Sequence, residues 1–421
     1  MIQFAKKHYH WIVAVVLLLL MAIRGGTANN LSGLHLLPVT EALDITRSQF
    51  SFAVSASWFA AMLAVMSSGV LACRFDYRSL LCVFMLVGTA GYVLMAVAKS
   101  YPLFFLGYTL LGLNAGICAE AGITRLVSAW FHKYRGTVLG VISSATGWGA
   151  SILCIFQTAA IERSTYKASY YLVAILLAVC AVLAWTFVRS HPGKMDLLPY
   201  GQGETMEYKK REHKKDHWQG LSMKQLVRRP AFYMMFAGTL ISCILPNLAL
   251  PVIVPHLQDR GLSVAEASGM QSVMMLCLAG AKILTGYLCD AIGARKVALL
   301  CMALDVVALL LLAFTTGVST ALIAVILFAL ALPITTVVVP LLATSLFGYS
   351  AQMEYTGLFI SMVSASAIIS TPIPNVIFDK VGSYSPVFLV AAALTVPLMG
   401  FYLLMYYLAD RDRKKQEQTQ E

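Results

Sequence analysis

Long apolar runs recur along this 421-residue chain, and they restrict its fold more than any other feature. Each run has the roughly 20 residues that an α-helix needs to cross about 30 Å of hydrocarbon. Membrane-spanning strands would be about ten residues long and would alternate in polarity, which these runs do not. We therefore predict an all-α membrane protein. Its twelve transmembrane helices are expected near residues 10–33, 48–71, 80–98, 103–129, 137–161, 169–188, 231–256, 266–288, 297–316, 320–346, 356–378 and 385–409.

Charged residues are too scarce for a soluble domain. They make up 12% of the chain, whereas soluble proteins have about 25%, and 59% of the residues are hydrophobic. The first apolar run follows Lys6 and Lys7, as in a signal peptide, but it continues past Arg24 without a convincing cleavage site. We predict that this run is retained as the first membrane helix.

The positive charges favour one orientation in the membrane. If the N-terminus is cytoplasmic, 22 of the 31 Lys and Arg residues lie on the cytoplasmic side and 6 on the other side, with Arg24, Arg125 and Lys282 inside spans. Cytoplasmic loops usually carry such an excess. We attribute the net charge of +11 to topology and to attraction by the lipid bilayer, not to binding of nucleic acid. We expect a multi-pass protein of a prokaryotic inner (plasma) membrane with both termini in the cytoplasm.

Motifs of several other protein classes are absent from the sequence. The nine cysteines lie in spans or at their cytoplasmic ends without metal-ligand spacing, so neither a disulfide framework nor a metal site is predicted. No ATP-binding motif, phosphate-binding glycine loop or spaced catalytic triad occurs. We predict a protein that is not an enzyme and uses no cofactor. Any energy for transport would come from a gradient or from exchange.

A long polar segment divides the apolar runs into two groups of six. The repeated sequence GVLACRFDYRSL after the second span matches GYLCDAIGARKV after the eighth, which pairs Arg78 with Arg295. Parallel six-helix repeats are typical of transporters that bind substrate near the midplane between the halves. The predicted parts are an N-terminal six-helix bundle at 1–189, a cytoplasmic linker at 190–230, a C-terminal six-helix bundle at 231–409 and a cytoplasmic tail at 410–421.

The loop after the eighth span resembles that of a known family. Gly286, Asp290, Gly293, Arg295 and Lys296 are similar to the loop motif of the major facilitator superfamily, and the resemblance covers nearly the whole chain. More narrowly, AWFHKYRGTVLGVISSATGWGAS and DKVGSYSPVF resemble the branch of oxalate/formate antiporters and monocarboxylate transporters. The resemblance implies the major facilitator fold and alternating access. It also implies a gating role for Gly286, Asp290 and Arg295 in one loop and for Asp76 and Arg78 in the other.

Three positions depart from the pattern that the resemblance implies. Cys73 stands where the superfamily usually has an acid, so the first loop is weakened unless Asp76 substitutes. Tyr108 falls where many proton-coupled members carry an arginine, which puts that kind of coupling in doubt; we keep Tyr108 as a substrate-binding candidate. Leu278 replaces an acid that monocarboxylate transporters keep one turn before Lys282.

Arg24 is the first candidate for binding substrate. It lies about 14 residues into the first span and is followed by GGTANN, in which Asn29 is a further polar candidate. Ionisable groups at this depth usually face a cavity or a partner, and a guanidinium suits a carboxylate because it forms two parallel hydrogen bonds with it. The alternative is a structural ion pair with Glu120. Glu120 is also the candidate for proton coupling, since a buried carboxyl is suited to proton exchange.

Lys282 is the corresponding candidate in the second half. It lies about seven residues, or roughly 10 Å, above the cytoplasmic end of the eighth span. The resemblance places it where related transporters carry an arginine that holds the substrate carboxylate. The alternative is a side chain that extends to the membrane surface without binding anything. Three cations inside spans against Glu120 and Asp305 favour an anionic substrate.

Other residues in the spans are ambiguous. Trp148 and Gln157 are candidates for facing a substrate cavity, although helix packing also explains their pattern. Pro246 and Pro251 bend the seventh span, either as part of a gate or as a static kink. Asp305 is expected on an outer helix in a pairing or interhelical role.

Together these observations predict a secondary transporter of a small organic anion, a mono- or dicarboxylate. It would act as a monomer, by proton symport or by exchange for a counter-anion. Arg24 and Lys282, one from each half, are expected to hold the anion between the six-helix bundles. Two alternatives remain: proton-coupled efflux of a neutral or cationic compound through Glu120, and a sensor that binds a ligand without transporting it.

Overall fold

Helices make up both of the units into which the chain divides, Met1–Asp216 and His217–Glu421. The division lies inside the predicted linker. The computed structural model describes residues 9–27, 30–131, 134–192, 199–201, 228, 230–339, 341–342 and 362–420, with the backbone alone for residues 73, 120, 121, 135, 231 and 408–420.

The helices of the first unit follow the apolar runs of the sequence. They are long because few glycines, prolines or charges interrupt these runs, and a buried helix is apolar on all sides. They are α1 (Tyr9–Gly25), α2 (Ser32–Leu43), α3 (Arg47–Arg74), α4 (Tyr77–Val97), α5 (Tyr101–Ile117), α6 (Glu120–Trp130), α7 (Arg135–Arg163) and α8 (Tyr166–Phe187).

The second unit has the same kind of long helix, with changes of helix type at its prolines. They are α9 (Pro230–Ala249), a 3₁₀ turn (Leu250–Val252), α10 (Ile253–Asp259), α11 (Val264–Ile292), α12 (Ala294–Ala313), α13 (Val318–Ala331), a π-helical segment (Ile334–Val338), α14 (Pro372–Val381) and α15 (Ser385–Gln420). The residues that we assign to a tail, from 410 onwards, continue α15 as helix to Gln420.

Ten helical segments in the described part of the chain are long and apolar enough to cross a membrane. They coincide with ten of the twelve predicted spans, so the all-α fold class is confirmed and the chain is an integral multi-pass membrane protein. The predicted eleventh span, 356–378, begins outside the described residues, which show helix at 362–370 and in α14. Among the described residues, the only strand-like pairing is one isolated bridge between Phe131 and Tyr200.

The boundaries predicted for the first span are wrong. α1 ends at Gly25, and α2 begins at Ser32 and continues to Leu43 instead of ending near residue 33. Two consecutive glycines lower the helix propensity here. The side chains of Thr27 and Asn30 also donate to the backbone carbonyls of Arg24 and Gly25, each at 2.8 Å. Such local bonds compete with helix continuation.

The fourth span is interrupted as well. Helix α5 ends at Ile117 and α6 begins at Glu120, with Ala119 in an extended conformation between them. Neither residue at the break, Cys118 or Ala119, is a glycine or a proline, so no local breaker signals it. The break leaves backbone carbonyls of the last turn of α5 without their helical partners.

The two units begin their second-span helices in the same way. Thr46 accepts a hydrogen bond from the backbone N–H of Gln49, and the Gln49 side chain accepts one from the N–H of Thr46, which closes a capping box at α3. Ser263 and Glu266 form the same reciprocal pair at α11. Each box satisfies amide groups that a helix N-terminus leaves free. The internal repeat seen in the loops therefore extends to the caps.

Helices α1 and α7 approach each other closely beside Arg24. A Cβ on Gly25 would lie 2.0 Å from the carbonyl oxygen of Thr146, and one on Gly149 would lie 2.3 Å from that of Ala22. Both clashes are with backbone atoms, which cannot move aside as a flexible side chain does. Glycine at these positions is what lets α1 lie against α7.

Candidate functional site

Arg24 lies in the last turn of α1 and is partly buried. Its Nη2 atom donates to the backbone carbonyl of Ala115 over 3.5 Å, a long hydrogen bond at the limit of useful geometry. Its Nε is buried and has no hydrogen-bond partner. Among the side chains that the structure describes, no carboxylate pairs with this guanidinium. Arg24 is therefore a membrane-embedded cation whose hydrogen-bonding capacity is only partly used.

The interruption between α5 and α6 explains why a backbone carbonyl is free to accept a hydrogen bond from Arg24. Ala115 and Ile117 are in the last turn of α5, where carbonyls have no amide four residues ahead in helical position. Arg24 contacts the first of them, and Tyr77 Oη donates to the carbonyl of Ile117 over 2.7 Å. Helix α6 begins three residues after Ile117. The N-terminal end of α6, which is the positive end of the helix dipole, therefore follows these carbonyls directly in the sequence. Glu120 is the first residue of α6. The structure describes the backbone of Glu120 but not its side chain.

Gln157 lies in α7, and its side chain contacts the turn between α1 and α2. It is completely buried, and its Nε2 donates to the backbone carbonyl of Gly26 over 2.8 Å. Ser169 Oγ lies 3.4 Å from Gln157 Oε1, and His35 Nε2 lies 2.9 Å from Ser169 Oγ. These bonds fix the turn that follows Arg24. The predicted substrate contact of Gln157 stays a prediction, and the bonds observed here are intramolecular.

Our sequence reasoning missed His35 and Ser169. His35 is completely buried, bonds through Nδ1 to the carbonyl of Leu31 at 3.2 Å, and stacks on Tyr170 at 4.6 Å between ring centroids. The only signal was a histidine in the otherwise apolar GLHLLP, in a stretch that we took for the exterior loop after the first span. Placing the first span correctly would have drawn attention to this histidine.

The other polar candidates of the first unit occupy different surroundings. Tyr108 is completely buried, with its ring against Phe50 at 5.8 Å and Phe104 at 5.2 Å, which is the environment of a packing residue. Trp148 is partly buried at the edge of the same apolar cluster. Asn29 lies outside the described residues. The substrate-binding roles of these three residues stay predictions.

Lys282 lies within α11, ten residues before the end of that helix at Ile292, or about 15 Å along its axis. Its side chain is partly buried, and no hydrogen bond or ion pair of Lys282 is found among the described residues. Helix α11 continues beyond the apolar run, so the end of the helix does not mark the membrane surface. Substrate binding by Lys282 and the alternative of a side chain that extends to the membrane surface both stay predictions.

The loop motifs of the two units differ in their contacts. In the first unit, Asp76 caps α4 by accepting from the backbone N–H of Arg78 at 3.4 Å, and it also accepts from Ser190 Oγ. The Arg78 guanidinium lies 4.2 Å above the ring of Trp185 and donates to its carbonyl. These bonds tie the start of α4 to the end of α8.

In the second unit, the charged residues of the corresponding loop are exposed. Asp290 is in the last turn of α11 and Arg295 at the start of α12, and both side chains are exposed. The Arg295 guanidinium lies 4.9 Å above the ring of Tyr406. A Cβ on Gly286 would meet nothing within 4 Å, so close packing does not require a glycine there. The gating roles predicted for both loops stay predictions.

One of the two candidate prolines of the seventh span, Pro251, coincides with a change of helix type. Pro246 is inside α9, and Pro251 is in the 3₁₀ turn between α9 and α10. A proline has no N–H to donate, so Pro246 leaves the carbonyl of Ser242 without its helical partner. The irregular geometry that we predict is present, and its use as a gate stays a prediction.

Comparison with known proteins identifies relatives of the chain. The family model of the Major Facilitator Superfamily matches residues 16–249 and 235–421. The uncharacterised MFS-type transporter YcxA of Bacillus subtilis is 24% identical over 266 residues, which is 63% of this chain and 61% of that protein. The fujikurins efflux protein of Gibberella fujikuroi is 23% identical over 346 residues, which is 80% of this chain and 63% of that protein. The chain thus spans less than two thirds of the length of either relative.

Solved structures share the fold. A bacterial homolog to the human lysosomal transporter Spinster matches with a TM-score of 0.73 at 14% identity and covers 96% of this chain and 97% of its own. The nucleoside transporter NupG matches with a TM-score of 0.72 at 13% identity, over 94% and 99% of the two chains. A D-xylose-proton symporter matches with 0.71 at 13%, over 92% and 97%. Identities this low establish the fold alone. With the family match covering nearly all residues and the fold shared over full length, this chain belongs to the major facilitator superfamily.

Proposed function

We propose that the chain is a secondary active transporter that moves a small organic anion, a mono- or dicarboxylate, by alternating access. The matched relatives and structures are named as transporters, which supports transport but not this choice of substrate. The observation that carries the choice is Arg24, a cation in a membrane helix whose buried Nε has no partner, and whose guanidinium makes one long hydrogen bond, among the residues that the structure describes.

A carboxylate would complete the bonding of Arg24. An unpaired charge at membrane depth is unfavourable by several kcal/mol, so a state with a bound anion is stabilised relative to the empty one. A guanidinium with free N–H groups offers the two parallel donors that match a carboxylate. The positive end of α6 begins just after the carbonyls that contact Arg24, and helix N-termini also favour anions.

Lys282 is the second cation of the proposal. It has no partner among the described residues, and an ammonium is a point charge that binds an anion with less geometric selection than a guanidinium. We assign it to the second carboxylate of a dicarboxylate, or to the same carboxylate at another stage of the cycle. The finer resemblance to oxalate/formate antiporters and monocarboxylate transporters supports this assignment.

Glu120 is the residue that we assign to proton coupling in the first unit. It starts α6 within a predicted span, and a carboxyl at membrane depth is suited to proton exchange. Proton symport and anion exchange both fit this position. We propose that the protein is a monomer of a prokaryotic inner membrane. The lysine and arginine distribution supports placing both termini in the cytoplasm.

Uptake by proteoliposomes tests the proposal. Labelled formate, oxalate, lactate and succinate are offered to the parent protein and to Arg24→Ala, Arg24→Lys and Lys282→Ala. Arg24→Ala should lower the apparent affinity for the transported anion roughly tenfold or more, since charge-assisted hydrogen bonds contribute about 1.5–3 kcal/mol. Arg24→Lys should retain part of it. Arg163→Ala, at the exposed end of α7, is the matched control and should behave like the parent.

Two results would contradict the anion proposal. One is transport of none of these carboxylates by a folded parent protein, and the other is unchanged affinity in both Arg24→Ala and Lys282→Ala. Thermal stabilisation of the purified protein by carboxylates measures binding without flux. Together with the uptake assay it separates a transporter from a sensor, because a sensor would be stabilised and would show no uptake.

The name of one relative supports a second candidate function. The fujikurins efflux protein exports a compound, so efflux of a neutral or cationic compound remains the rival proposal for this chain. In that case Glu120→Gln should abolish export of a cationic dye from inverted vesicles, and carboxylates should not compete. Competition by carboxylates would instead support the anion proposal.

A further inference from the structure

Asp305 is a buried carboxylate inside the second unit. It lies in the middle of α12 and is 5% exposed. It lines a small cavity together with Ser242 and Pro246 of α9, Ile334 of the π-helical segment and Thr395 of α15. All of these residues belong to the second unit.

The carboxylate has almost no hydrogen-bonding partners. Within the described part of the chain its Oδ1 is buried without a hydrogen-bond partner, and its Oδ2 is 3.5 Å from Thr395 Oγ1. The Thr395 hydroxyl also donates to the carbonyl of Ala391 at 2.9 Å. One hydroxyl hydrogen cannot serve both acceptors, and the shorter bond is to Ala391. Asp305 therefore lacks the donors that an ionised carboxylate needs when it is removed from water.

No positive charge compensates Asp305 within the described part of the unit. The titratable side chains around the cavity are thiols and a phenol: Cys301 on α12, Cys289 on α11, Cys243 on α9 and Tyr402 on α15. Helix α13 and the π-helical segment contain no titratable side chain. The cations described on α11 and α12, which are Lys282, Arg295 and Lys296, do not line the cavity. An uncompensated carboxylate in such a place is strongly unfavourable, so a ligand must neutralise it for at least part of the time.

The cavity suits a proton better than a metal cation. Its volume is about 10 Å³, roughly the space of one water molecule, and most of its lining side chains are apolar. A metal cation requires several oxygen ligands, and the described residues contain no cluster of three acidic, histidine or cysteine side chains that could hold a metal ion. Ser242 donates its hydroxyl hydrogen to Tyr402 Oη at 3.0 Å, which leaves its oxygen able to accept a bond.

The surrounding backbone is irregular, as a site that opens and closes requires. Pro246 leaves the carbonyl of Ser242 without its helical donor, and Ile334 starts the π-helical segment directly after Pro333. π-helical turns inside longer helices are rare and occur often at functional sites. Both irregularities border the same cavity, so a rearrangement of either would change the access of water to Asp305.

We propose that Asp305 is a proton-binding site inside the second unit. A proton from water adds to a carboxylate oxygen and forms an O–H bond, which leaves a neutral carboxyl group. When the cavity opens, the same bond breaks and the proton returns to water. The use of this proton to drive anion uptake rests on the proposed function, whereas proton binding itself does not.

Infrared spectroscopy of the purified full-length protein tests proton binding without any substrate. A carbonyl stretch from a protonated, buried carboxyl should be present at neutral pH and disappear on titration to high pH, and Asp305→Asn should abolish it. Asp44→Asn is the matched control, because Asp44 is exposed and its φ of 50° is one that asparagine adopts readily. The control should keep the band. A band that persists in Asp305→Asn, or is absent from the parent, overturns the proposal.

A second variant keeps the proposal testable if Asp305→Asn does not fold. Thr395→Val retains the carboxyl group and removes its nearest donor, so both the frequency of the band and the midpoint of its titration should shift. An unchanged frequency and midpoint would count against Asp305 as the source of the band.

Coupling is tested in proteoliposomes with labelled formate, oxalate, lactate and succinate. An inward pH gradient should stimulate uptake by the parent, and Asp305→Asn should lose the gradient-driven part while it keeps anion counterflow. Equal stimulation of the variant would overturn the coupling role. If the parent moves none of these anions but shows the infrared band, the proposed substrate class fails and the proton site stands.

Discussion

The two units of this protein treat their buried charges differently. In the first unit, Arg24 lies where two helices are interrupted, and backbone carbonyls of the last turn of α5 face it and its neighbour Tyr77. In the second unit, Lys282 and Asp305 lie in the middle of uninterrupted helices. Neither charged group has a strong partner among the described residues.

The difference shows two ways to keep an ionisable group at membrane depth. Interrupting a helix supplies polar backbone groups at the site, which stabilises a permanent cation. An uninterrupted helix supplies none, so the charge must be neutralised by something that comes and goes. On this comparison the first unit is suited to hold an anion against Arg24, and the second unit is suited to bind and release a proton at Asp305.

The largest expected effect concerns the close approach of α1 and α7, which the Arg24 region depends on. Gly149→Val would place side-chain atoms against the backbone of Ala22, where a Cβ alone would already lie 2.3 Å from the carbonyl oxygen. We expect a loss of about 3 kcal/mol in the free energy of unfolding, as for severe overpacking. Thermal unfolding of the detergent-solubilised protein measures it.

Gly140→Val is the matched control for that experiment. It is on the same helix, and a Cβ there would meet nothing within 4 Å. Only a small effect is expected, and it should be in the stabilising direction, because valine is less flexible than glycine in the unfolded chain and has a higher helix propensity. Equal destabilisation by both substitutions would show that the contact between α1 and α7 is not what constrains Gly149.

The second expected effect concerns the polar network that follows Arg24. Gln157→Leu removes the donor to the carbonyl of Gly26 and the contact with Ser169 Oγ. A buried acceptor left without its donor is unfavourable by about 2 kcal/mol, so the midpoint of thermal unfolding should fall. Thr158→Val is the control one residue away, because Thr158 Oγ1 bonds only within its own helix, to Cys154 at 2.8 Å. A Gln157→Leu protein as stable as Thr158→Val would mean that the turn after α1 does not need this network.

The sequence predicts the spans and the charges inside them better than it predicts the interruptions of the helices. The positions of ten spans followed from apolar length alone, because a helix in lipid satisfies its own backbone groups. The charges inside the spans were also found from the sequence, since such residues are rare there. Neither Arg24 nor Lys282 required the structure to be noticed.

The interruptions and the orientation of Asp305 could not be predicted in the same way. Cys118 and Ala119 carry no breaker signal, so the end of α5 depends on tertiary contacts such as the bond from Tyr77 to Ile117. Asp305 lies on a helix that is apolar on all sides, and such a helix gives no periodicity from which to read its buried face. Only packing against α9 and α15 reveals which way the carboxylate points.

The third prediction uses the loops in which the repeats diverge. Asp76→Ala removes the cap of α4 and the acceptor for Ser190, so we expect a loss of about 1 kcal/mol in unfolding free energy, as for other N-caps. Asp290→Ala, at the corresponding exposed loop, should stay within about 0.5 kcal/mol of the parent, as most surface substitutions do. Thermal unfolding of both variants measures the difference. Equal effects would show that the contacts of Asp76 do not distinguish the first loop from the second.

The smallest expected difference is at the capping boxes, where the two units are alike. Thr46→Ala should lower the free energy of unfolding by about 1 kcal/mol, because the amide of Gln49 loses its acceptor. Ser263→Ala removes the same acceptor from the amide of Glu266 and should have an effect of similar size. Thermal unfolding of the two single variants and of the double variant measures this, and additive losses are expected for sites in separate units. If one cap proved much more important than the other, the divergence between the units would extend beyond their charges to the helix starts that they share.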